Sequence, residues 1–445
     1  MTAQRAREQW GSGFGFLMAA IGSAVGLGNM WRFSYLTAEN GGAAFVILYI
    51  LMILLVGFPV LLAELTVGRG AARGPVQALG FYGGRWWKTL GALFVAAGFL
   101  IASYYSVIAG WTLRYTFEGI FLGFAADPAT HFTEIASGYD ALAWHVAFMA
   151  GSLWVVANGI TFGIERTSIV VMPLLFLVVC GLAIYAATLP GSQGGYHYYL
   201  NAEDYAAIFS RQVLAQAAGQ AFFSLSLGMG AMLTYASYLK RTTNLPLQAA
   251  IISLSDFAIA FVAGLVVFPL LFALGLQQDV GESTLGALFI TLPKAFAGLG
   301  VTGRVVGGLF FAALVVGALT SLISLLEVVV ASTIDMVGWE RRRATLWTGA
   351  AATLLGIPAA MNIAALDVMD QIATNILLMG GGLALSIFVG WVMPSPDHEV
   401  AAGAGKYRWL WVWIGLLRYV VPIVLAFIMA DTVPKTLAAV LALFP

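Results

Sequence analysis

The sequence predicts an all-α polytopic membrane protein with eleven transmembrane helices, built from two five-helix repeats of opposite topology. Hydrophobic residues make up 61% of the 445 residues and charged residues only 9%, whereas a soluble domain carries about 25% charged residues. The mean hydropathy is +0.91. Two apolar stretches, five spans apart, contain glycine and polar residues where a membrane helix would be continuous.

Eleven apolar windows are long enough to cross a membrane. They run over Gly13–Tyr35, Ala43–Val67, Thr89–Ile120, Ala143–Ile160, Ser168–Leu189, Ala206–Tyr238, Gln248–Leu274, Arg304–Ile334, Thr345–Ala360, Asp367–Met393 and Trp409–Ala430. The tail after Ala430 is too short to add another span. The windows predict one domain over 1–445, with repeats over 12–189 and 206–393 and a peripheral helix over 409–430.

Basic residues are concentrated in alternate loops, which predicts the orientation. The N-terminal tail, the loop at 69–88 and the loop at 341–343 carry Lys and Arg, whereas the loop at 127–140 is acidic. We therefore expect a cytoplasmic N-terminus and, with eleven spans, an extracytoplasmic C-terminus in a cell (inner or plasma) membrane.

Several classes of function are disfavoured by composition. The formal net charge of +0 argues against a nucleic-acid partner. Cys180 is the single cysteine, so a disulfide framework is excluded. The four histidines are scattered, and the glycine-rich strings lack the flanking pattern of a phosphate loop. We therefore do not expect an enzyme.

The first span contains the string GSAVGLGNMWRF, from Gly22 to Phe33. Lipid offers no hydrogen bonds to a broken backbone, so such a break is tolerated only where protein lines a cavity. The sixth span repeats the feature in GQAFFSLSLGMG. Paired breaks at matching positions of two halves indicate a transporter's binding site, with unwinding expected at 24–28 and 226–230. Half-helix ends offer amides to an anion and carbonyls to a cation, which suits a zwitterionic amino acid beside a small cation.

These strings, together with ENGGAAF and GALTS, resemble the neurotransmitter:sodium symporter family, and most closely its bacterial hydrophobic amino-acid transporters. The resemblance covers nearly the whole chain and implies the fold of the bacterial leucine transporter. It implies sodium-coupled symport of aliphatic and aromatic L-amino acids by alternating access. A proton-driven or uncoupled transporter of the same fold remains an alternative, and a channel is a less favoured one.

The resemblance implies two sodium sites made of oxygen ligands, as a hard cation requires. The first would use Ala24, Asn29, Ser224 and Asp256. The second would use the residues Gly22, Val25, Gly317, Thr320 and Ser321.

The resemblance also implies a substrate site between the two breaks. The amides of Leu27 and Gly28 and the hydroxyl of Tyr105 would bind the carboxylate, beside the open position Gly26. Carbonyls of Ala24, Phe223 and Ser224 would bind the ammonium. The side chain would enter a pocket formed by Ile101, Tyr105, Phe223, Ser226, Met229, Ser321 and Leu325.

Charged residues inside spans are functional candidates, because burying them in a membrane is costly. Asp256 stands where chloride-dependent relatives have Asn, so we expect it to supply the negative charge and to make chloride unnecessary. Glu64 matches an acid that braces the unwound segments. Glu327 has no role in the resemblance, and Arg114 and Arg418 are expected to snorkel near span ends.

Gates are implied on both sides of the site. Arg32 and Asp370 match the outer pair. An inner network is matched by Arg7, Trp10, Tyr238 and Asp335. Gly163 and Pro173 weaken the start of the fifth span, and the resemblance implies that this end unwinds to hydrate the second sodium site.

Overall fold

The computed structural model describes residues 7–202, 205, 209–276, 284–405 and 407–441, and it confirms the predicted fold class. Within these residues, nine single helices are long and apolar enough to cross a membrane. They run over Ala43–Ala71, Arg85–Leu122, Tyr139–Ala157, Ile160–Ala187, Leu245–Ala273, Gly300–Val337, Arg341–Met361, Ile363–Val392 and Leu410–Leu441. We number these helices as the second to fifth and the seventh to eleventh spans.

The first and sixth spans are each made of two helices. The first consists of Gly13–Ala24 and Gly28–Glu39, whose axes differ by 52°. The sixth consists of Arg211–Ser224 and Ala231–Ala236. Each half is too short to cross a bilayer alone, so the two halves of each pair must act as one span.

Short helices connect the spans. They run over Pro75–Gly83, Pro128–Ile135, Ser192–Leu200, Ala287–Gly298 and Pro396–Ala404. Side-chain caps define several starts: Ser210 accepts a hydrogen bond from the amide of Val213 at 3.2 Å, where the first half of the sixth span begins. The predicted start of that span at Ala206 lies outside the described residues.

The eleventh span differs most from its predicted bounds, because its helix continues past Ala430 to Leu441. Asp431 and Lys435 form an exposed i,i+4 ion pair at 2.7 Å in this extension. The tail therefore prolongs the eleventh helix. Asp431, Pro434 and Lys435 interrupt the apolar sequence here, so hydrophobicity alone does not predict this extension.

Glycines let the helices around the site pack closely. A Cβ on Gly356 of the ninth span would lie 2.3 Å from the carbonyl oxygen of Ser103 in the third span. A Cβ on Gly110 would lie 2.8 Å from the backbone of Trp144 in the fourth span. The third, fourth and ninth spans thus form a close-packed group beside the two interrupted helices.

Candidate functional site

The break in the first span covers residues 25–27 and brings its backbone against the third and eighth spans. Helix geometry ends at Ala24, and Val25 is extended, with φ −81° and ψ 106°. A Cβ on Gly26 would lie 2.6 Å from Oγ of Ser321 and 2.9 Å from the hydroxyl of Tyr105. Glycine at position 26 is therefore required for this close approach of the exposed backbone to both hydroxyls.

The break in the sixth span covers residues 225–230 and depends on left-handed backbone conformations. Ser226, Gly228 and Gly230 have φ values of 54°, 77° and 72°. The fully buried carboxylate of Glu64 accepts hydrogen bonds from the amides of Gly228 at 2.8 Å and Leu233 at 3.1 Å. Glu64 thus replaces helical partners that the unwound segment has lost.

The two breaks enclose a small cavity of about 30 Å³. It is lined by Ser23, Ala24, Gly26, Gly28, Asn29, Ile101, Tyr105, Phe223, Ser224, Ser226, Met229, Ser321 and Leu325. All residues predicted to bind substrate are in this lining except Leu27, which borders a second cavity of about 470 Å³. The amide of Leu27 donates to the hydroxyl of Tyr105 at 3.3 Å.

Asp256 is fully buried within hydrogen-bonding distance of three other side chains. Its carboxylate accepts three hydrogen bonds: from the hydroxyl of Ser224 at 2.8 Å, from the amide nitrogen of Asn29 at 2.6 Å and from the hydroxyl of Tyr49 at 3.3 Å. The oxygen of the Asn29 amide accepts from the amide of Gly26 at 3.0 Å. Three residues of the predicted first sodium site, Asn29, Ser224 and Asp256, therefore contact one another, and Ala24 lines the same cavity. The Asn29 amide points its nitrogen toward the acid.

The residues of the predicted second sodium site also lie together, between the first and eighth spans. Ser321 Oγ is 3.4 Å from the carbonyl oxygen of Gly22. A Cβ on Gly317 would lie 3.4 Å from the carbonyl oxygen of Val25. Thr320 donates to the carbonyl of Gly317 at 3.1 Å. Three backbone carbonyls and two hydroxyls thus come from two facing helices.

The predicted inner network is closed. Arg7 pairs with Asp335 at 2.9 Å, donates to Ser237 at 2.6 Å and lies 4.7 Å from the ring centre of Tyr238. The indole of Trp10 donates to the carbonyl of Tyr235 at 2.8 Å. These contacts join the N-terminal segment to the sixth and eighth spans.

The predicted outer pair is apart, and both residues line the 470 Å³ cavity. The guanidinium of Arg32 lies 4.9 Å from the ring centre of Phe223, and its Nη1 has no hydrogen-bond partner among the described residues. Asp370 instead accepts from the hydroxyl of Tyr104 at 2.8 Å. This arrangement leaves the cavity open between Arg32 and Asp370 while the inner network is closed.

The start of the fifth span is wound. Gly163 lies in a π-helical segment over Ile160–Glu165, and Pro173 lies inside the α-helix Arg166–Ala187 that follows. The N-terminal segment binds here, because Glu165 accepts from the amide of Gly11 at 2.7 Å. The unwinding expected for this end is not present in this conformation.

Sequence reasoning missed the partners of Glu327. This buried acid accepts from Arg341 at 2.7 Å and from the hydroxyl of Tyr238 at 2.5 Å. Arg341 also pairs with Glu8 at 2.7 Å, and Glu8 accepts from the amide of Ile160. Glu327 thus extends the inner network to the ninth and fifth spans. A buried acid inside a span was the available signal, since it demands a cationic partner.

Gln220 was also missed. It is fully buried one turn before Ser224, and its amide nitrogen donates to the carbonyl of Gly28 at 2.9 Å. This bond holds the second half of the first span against the sixth span. A lone amide in a membrane helix gave no indication of its partner.

Two interrupted helices around a shared cavity indicate a secondary transporter. The model of the sodium:neurotransmitter symporter family matches residues 7–131 and 130–442, and the chain belongs to that family. The sodium-dependent transporter YhdH of Bacillus subtilis is 36% identical over 450 residues, covering 96% of this chain and 97% of YhdH. The sodium-dependent transporter MJ1319 of Methanocaldococcus jannaschii is 34% identical, covering 87% of this chain and 82% of MJ1319.

A solved structure gives the same assignment. The crystal structure of MhsT in complex with L-phenylalanine matches with a TM-score of 0.86 and 39% identity, covering 96% of this chain and 100% of MhsT. The bovine sodium- and chloride-dependent GABA transporter 2 is a more distant relative, 29% identical over 65% of this chain and 56% of its own length. The protein is therefore a sodium-dependent, multi-pass membrane symporter, and its relatives are transporters rather than enzymes.

Proposed function

We propose that this symporter moves hydrophobic L-amino acids, aliphatic and aromatic, together with sodium by alternating access. The observation that carries the proposal is the cavity between the two helix breaks, where backbone amides, carbonyls and hydroxyls surround a mostly apolar pocket. MhsT, a structural relative, binds L-phenylalanine. The amino acids leucine, phenylalanine and tryptophan are the substrates we expect.

The local chemistry supports a zwitterionic ligand. The carboxylate would bind the amides of Leu27 and Gly28 and the hydroxyl of Tyr105, which already contacts the Leu27 amide at 3.3 Å. The ammonium would bind carbonyls of Ala24, Phe223 and Ser224. Position 26 carries no side chain, so no fixed negative charge competes with the substrate's carboxylate. Met229 is unbranched and adaptable, which suits side chains of different shapes.

Two sodium ions would bind beside the substrate. The first would bind Ala24, Asn29, Ser224 and Asp256, after a rotation of the Asn29 amide that turns its oxygen toward the ion. The second would bind carbonyls and hydroxyls contributed by Gly22, Val25, Gly317, Thr320 and Ser321. Both sets are hard oxygen ligands, as sodium prefers. Because the first set joins the first, sixth and seventh spans and the second joins the first and eighth, ion binding would favour the arrangement that also binds substrate.

Transport by this protein would not need chloride. The hydrogen-bond donors of Tyr49, Ser224 and Asn29 converge on the Asp256 carboxylate. A fixed carboxylate there supplies the negative charge that a bound anion would otherwise supply to balance sodium. Relatives whose names include chloride dependence are more distant from this chain than the bacterial and archaeal ones.

The gates would open in turn. In this conformation the inner network around Arg7 and Asp335 is closed and the outer pair Arg32 and Asp370 is apart. The outer pair would then close over the substrate and the inner network would release. The fifth span would unwind between Gly163 and Pro173, which would complete the cycle. The N-terminus would be cytoplasmic and the C-terminus extracytoplasmic. Residues 12–189 and 206–393 would move as the two inverted repeats, with 409–430 peripheral.

Equilibrium binding of labelled L-leucine, L-phenylalanine and L-tryptophan to purified protein tests the proposal. We expect binding in sodium gluconate and its loss in potassium or choline gluconate. Equal binding in all three salts would favour the proton-driven or uncoupled alternative. Binding of none of the three amino acids in sodium would contradict the substrate class. A matched measurement with a Ser224→Ala variant should show weakened sodium dependence, because its hydroxyl belongs to the first ion site.

A further inference from the structure

The eleventh span carries an exposed arginine well inside its helix. The helix begins at Leu410, and Arg418 follows eight residues later, about 12 Å along the axis. Only 28% of the most apolar window of this span is buried, and the side chain of Arg418 is exposed. A charged side chain on a lipid-facing helix is costly unless it reaches the interface and finds a partner there.

One edge of the Arg418 guanidinium is fixed by the protein. Its Nε donates to the carbonyl of Gly390 at 2.5 Å. Gly390 lies in the last turn of the tenth span, which ends at Val392, where carbonyls lack partners within the helix. A Cβ on Gly390 would lie 3.0 Å from Cγ of Arg418, so glycine leaves room for this approach.

The aromatic rings beside Arg418 further restrict its orientation. The guanidinium lies 5.3 Å from the ring centre of Trp391, which in turn makes an edge contact with Tyr419 at 5.8 Å. Both rings are more than half exposed, at 58% and 56%. Tryptophan and tyrosine in such positions mark the level of the lipid headgroups. Within the described residues, the two terminal nitrogens of Arg418 have no hydrogen-bond or ion-pair partner.

Further positive charge lies at the start of the third span, which packs against the tenth span. The ring of Trp87 lies 4.8 Å from the ring centre of Phe388, one turn from Trp391. Arg85 and Lys88 flank Trp87 and are exposed. Within the part of the chain that the structure describes, neither forms an ion pair. This side of the molecule is also the side of the Arg7–Asp335 network, because the connection that leads into the third span contains Gly74, whose amide donates to Asp335.

We propose that Arg418, with Trp391 and Tyr419, binds the phosphate of an anionic phospholipid at the seam between the tenth and eleventh spans. The planar guanidinium keeps two nitrogens free in a fixed fork, and that geometry matches a phosphate. Arg85 and Lys88 strengthen the preference for lipids with a net negative headgroup. The site is separate from the cavity at the helix breaks and does not depend on which substrate is carried.

Native mass spectrometry of the purified full chain, titrated with phosphatidylglycerol or with phosphatidylcholine of the same acyl chains, tests the proposal. Wild type should retain phosphatidylglycerol preferentially, and Arg418→Gln should bind it about fivefold more weakly, as expected for losing one basic contact with the headgroup. Arg343→Gln is the matched control, because Arg343 also lies over an aromatic ring, that of the half-buried Trp339 at 4.9 Å, but outside this seam. That control should bind as wild type does.

Several results would overturn the site. Equal retention of phosphatidylglycerol by wild type and Arg418→Gln would do so, as would equal retention of the two lipids by wild type. If inorganic phosphate raises the melting temperature of the protein as much as phosphatidylglycerol does, the ligand is free phosphate and not a lipid headgroup. A change in oligomer mass in Arg418→Gln with unchanged lipid retention would assign the surface to a second copy instead. If Arg418→Gln does not fold, Arg418→Lys replaces it in the test, because lysine keeps the charge but lacks the paired guanidinium nitrogens. This variant should bind the lipid with intermediate affinity. Wild-type affinity in Arg418→Lys would contradict binding of the phosphate by the paired nitrogens.

Discussion

Replacing Gly26 with aspartate should abolish amino-acid binding. A Cβ at this position would lie 2.6 Å from Ser321 Oγ and 2.9 Å from the Tyr105 hydroxyl, in a cavity of about 30 Å³. The new carboxylate would lie next to the amides proposed to bind the substrate's carboxylate. Two such charges about 4 Å apart repel by about 4 kcal/mol at an effective dielectric constant of about 20, which corresponds to roughly a thousandfold weaker binding.

The assay for Gly26→Asp is equilibrium binding of labelled L-leucine in sodium gluconate, over a concentration range that reaches millimolar. Gly26→Asn is the matched control, because it adds nearly the same volume without charge and so isolates the cost of crowding. Stabilisation by sodium alone, measured as a melting temperature, shows that both variants are folded. If Gly26→Asp binds leucine as well as Gly26→Asn does, the substrate carboxylate is not beside residue 26.

Three further variants test other parts of the site. Asp256→Asn should make sodium-coupled uptake depend on chloride or abolish it, and full uptake in gluconate would remove the charge role of Asp256. Glu64→Gln should lower the melting temperature, because the glutamine side chain has one acceptor oxygen for two backbone amides, and losing one buried hydrogen bond costs about 1–3 kcal/mol. An unchanged melting temperature would contradict the role of Glu64 in holding the unwound segment. Arg7→Gln should speed hydrogen exchange in residues 13–24, because it breaks a 2.9 Å ion pair with Asp335 and a hydrogen bond to Ser237. The control Lys435→Gln breaks an exposed ion pair and should leave that exchange unchanged. Equal exchange rates in the two variants would contradict the role of Arg7 in the inner gate.

The two helix breaks were predictable from sequence because their cause is local. Glycines at 22, 26 and 28, followed by Asn29 and Arg32, disfavour a continuous lipid-facing helix, and a string of glycine and polar residues recurs five spans later. The residues that line the cavity came from the family resemblance rather than from spacing. Ile101 and Leu325, for example, are ordinary apolar residues, and no pattern in their own spans sets them apart.

The partners of Glu327 were not predictable in the same way. Arg341 is one of three consecutive arginines, and which of them turns inward depends on the packing of the ninth span against the eighth. The sequence also did not predict that the start of the fifth span is helical in this conformation, or that Arg32 and Asp370 are apart. Alternative states of a transporter differ by only a few kcal/mol, so the same residues support each of them.

The central claim is that sodium drives the accumulation of a hydrophobic amino acid through the site between the two helix breaks. It is tested most directly by uptake of labelled L-leucine into proteoliposomes of purified protein under an imposed inward sodium gradient, with gluconate as the only anion. The account predicts transient accumulation above the external concentration, which disappears when potassium replaces sodium. Accumulation that follows an imposed pH gradient without sodium, or equilibration without accumulation, would contradict it.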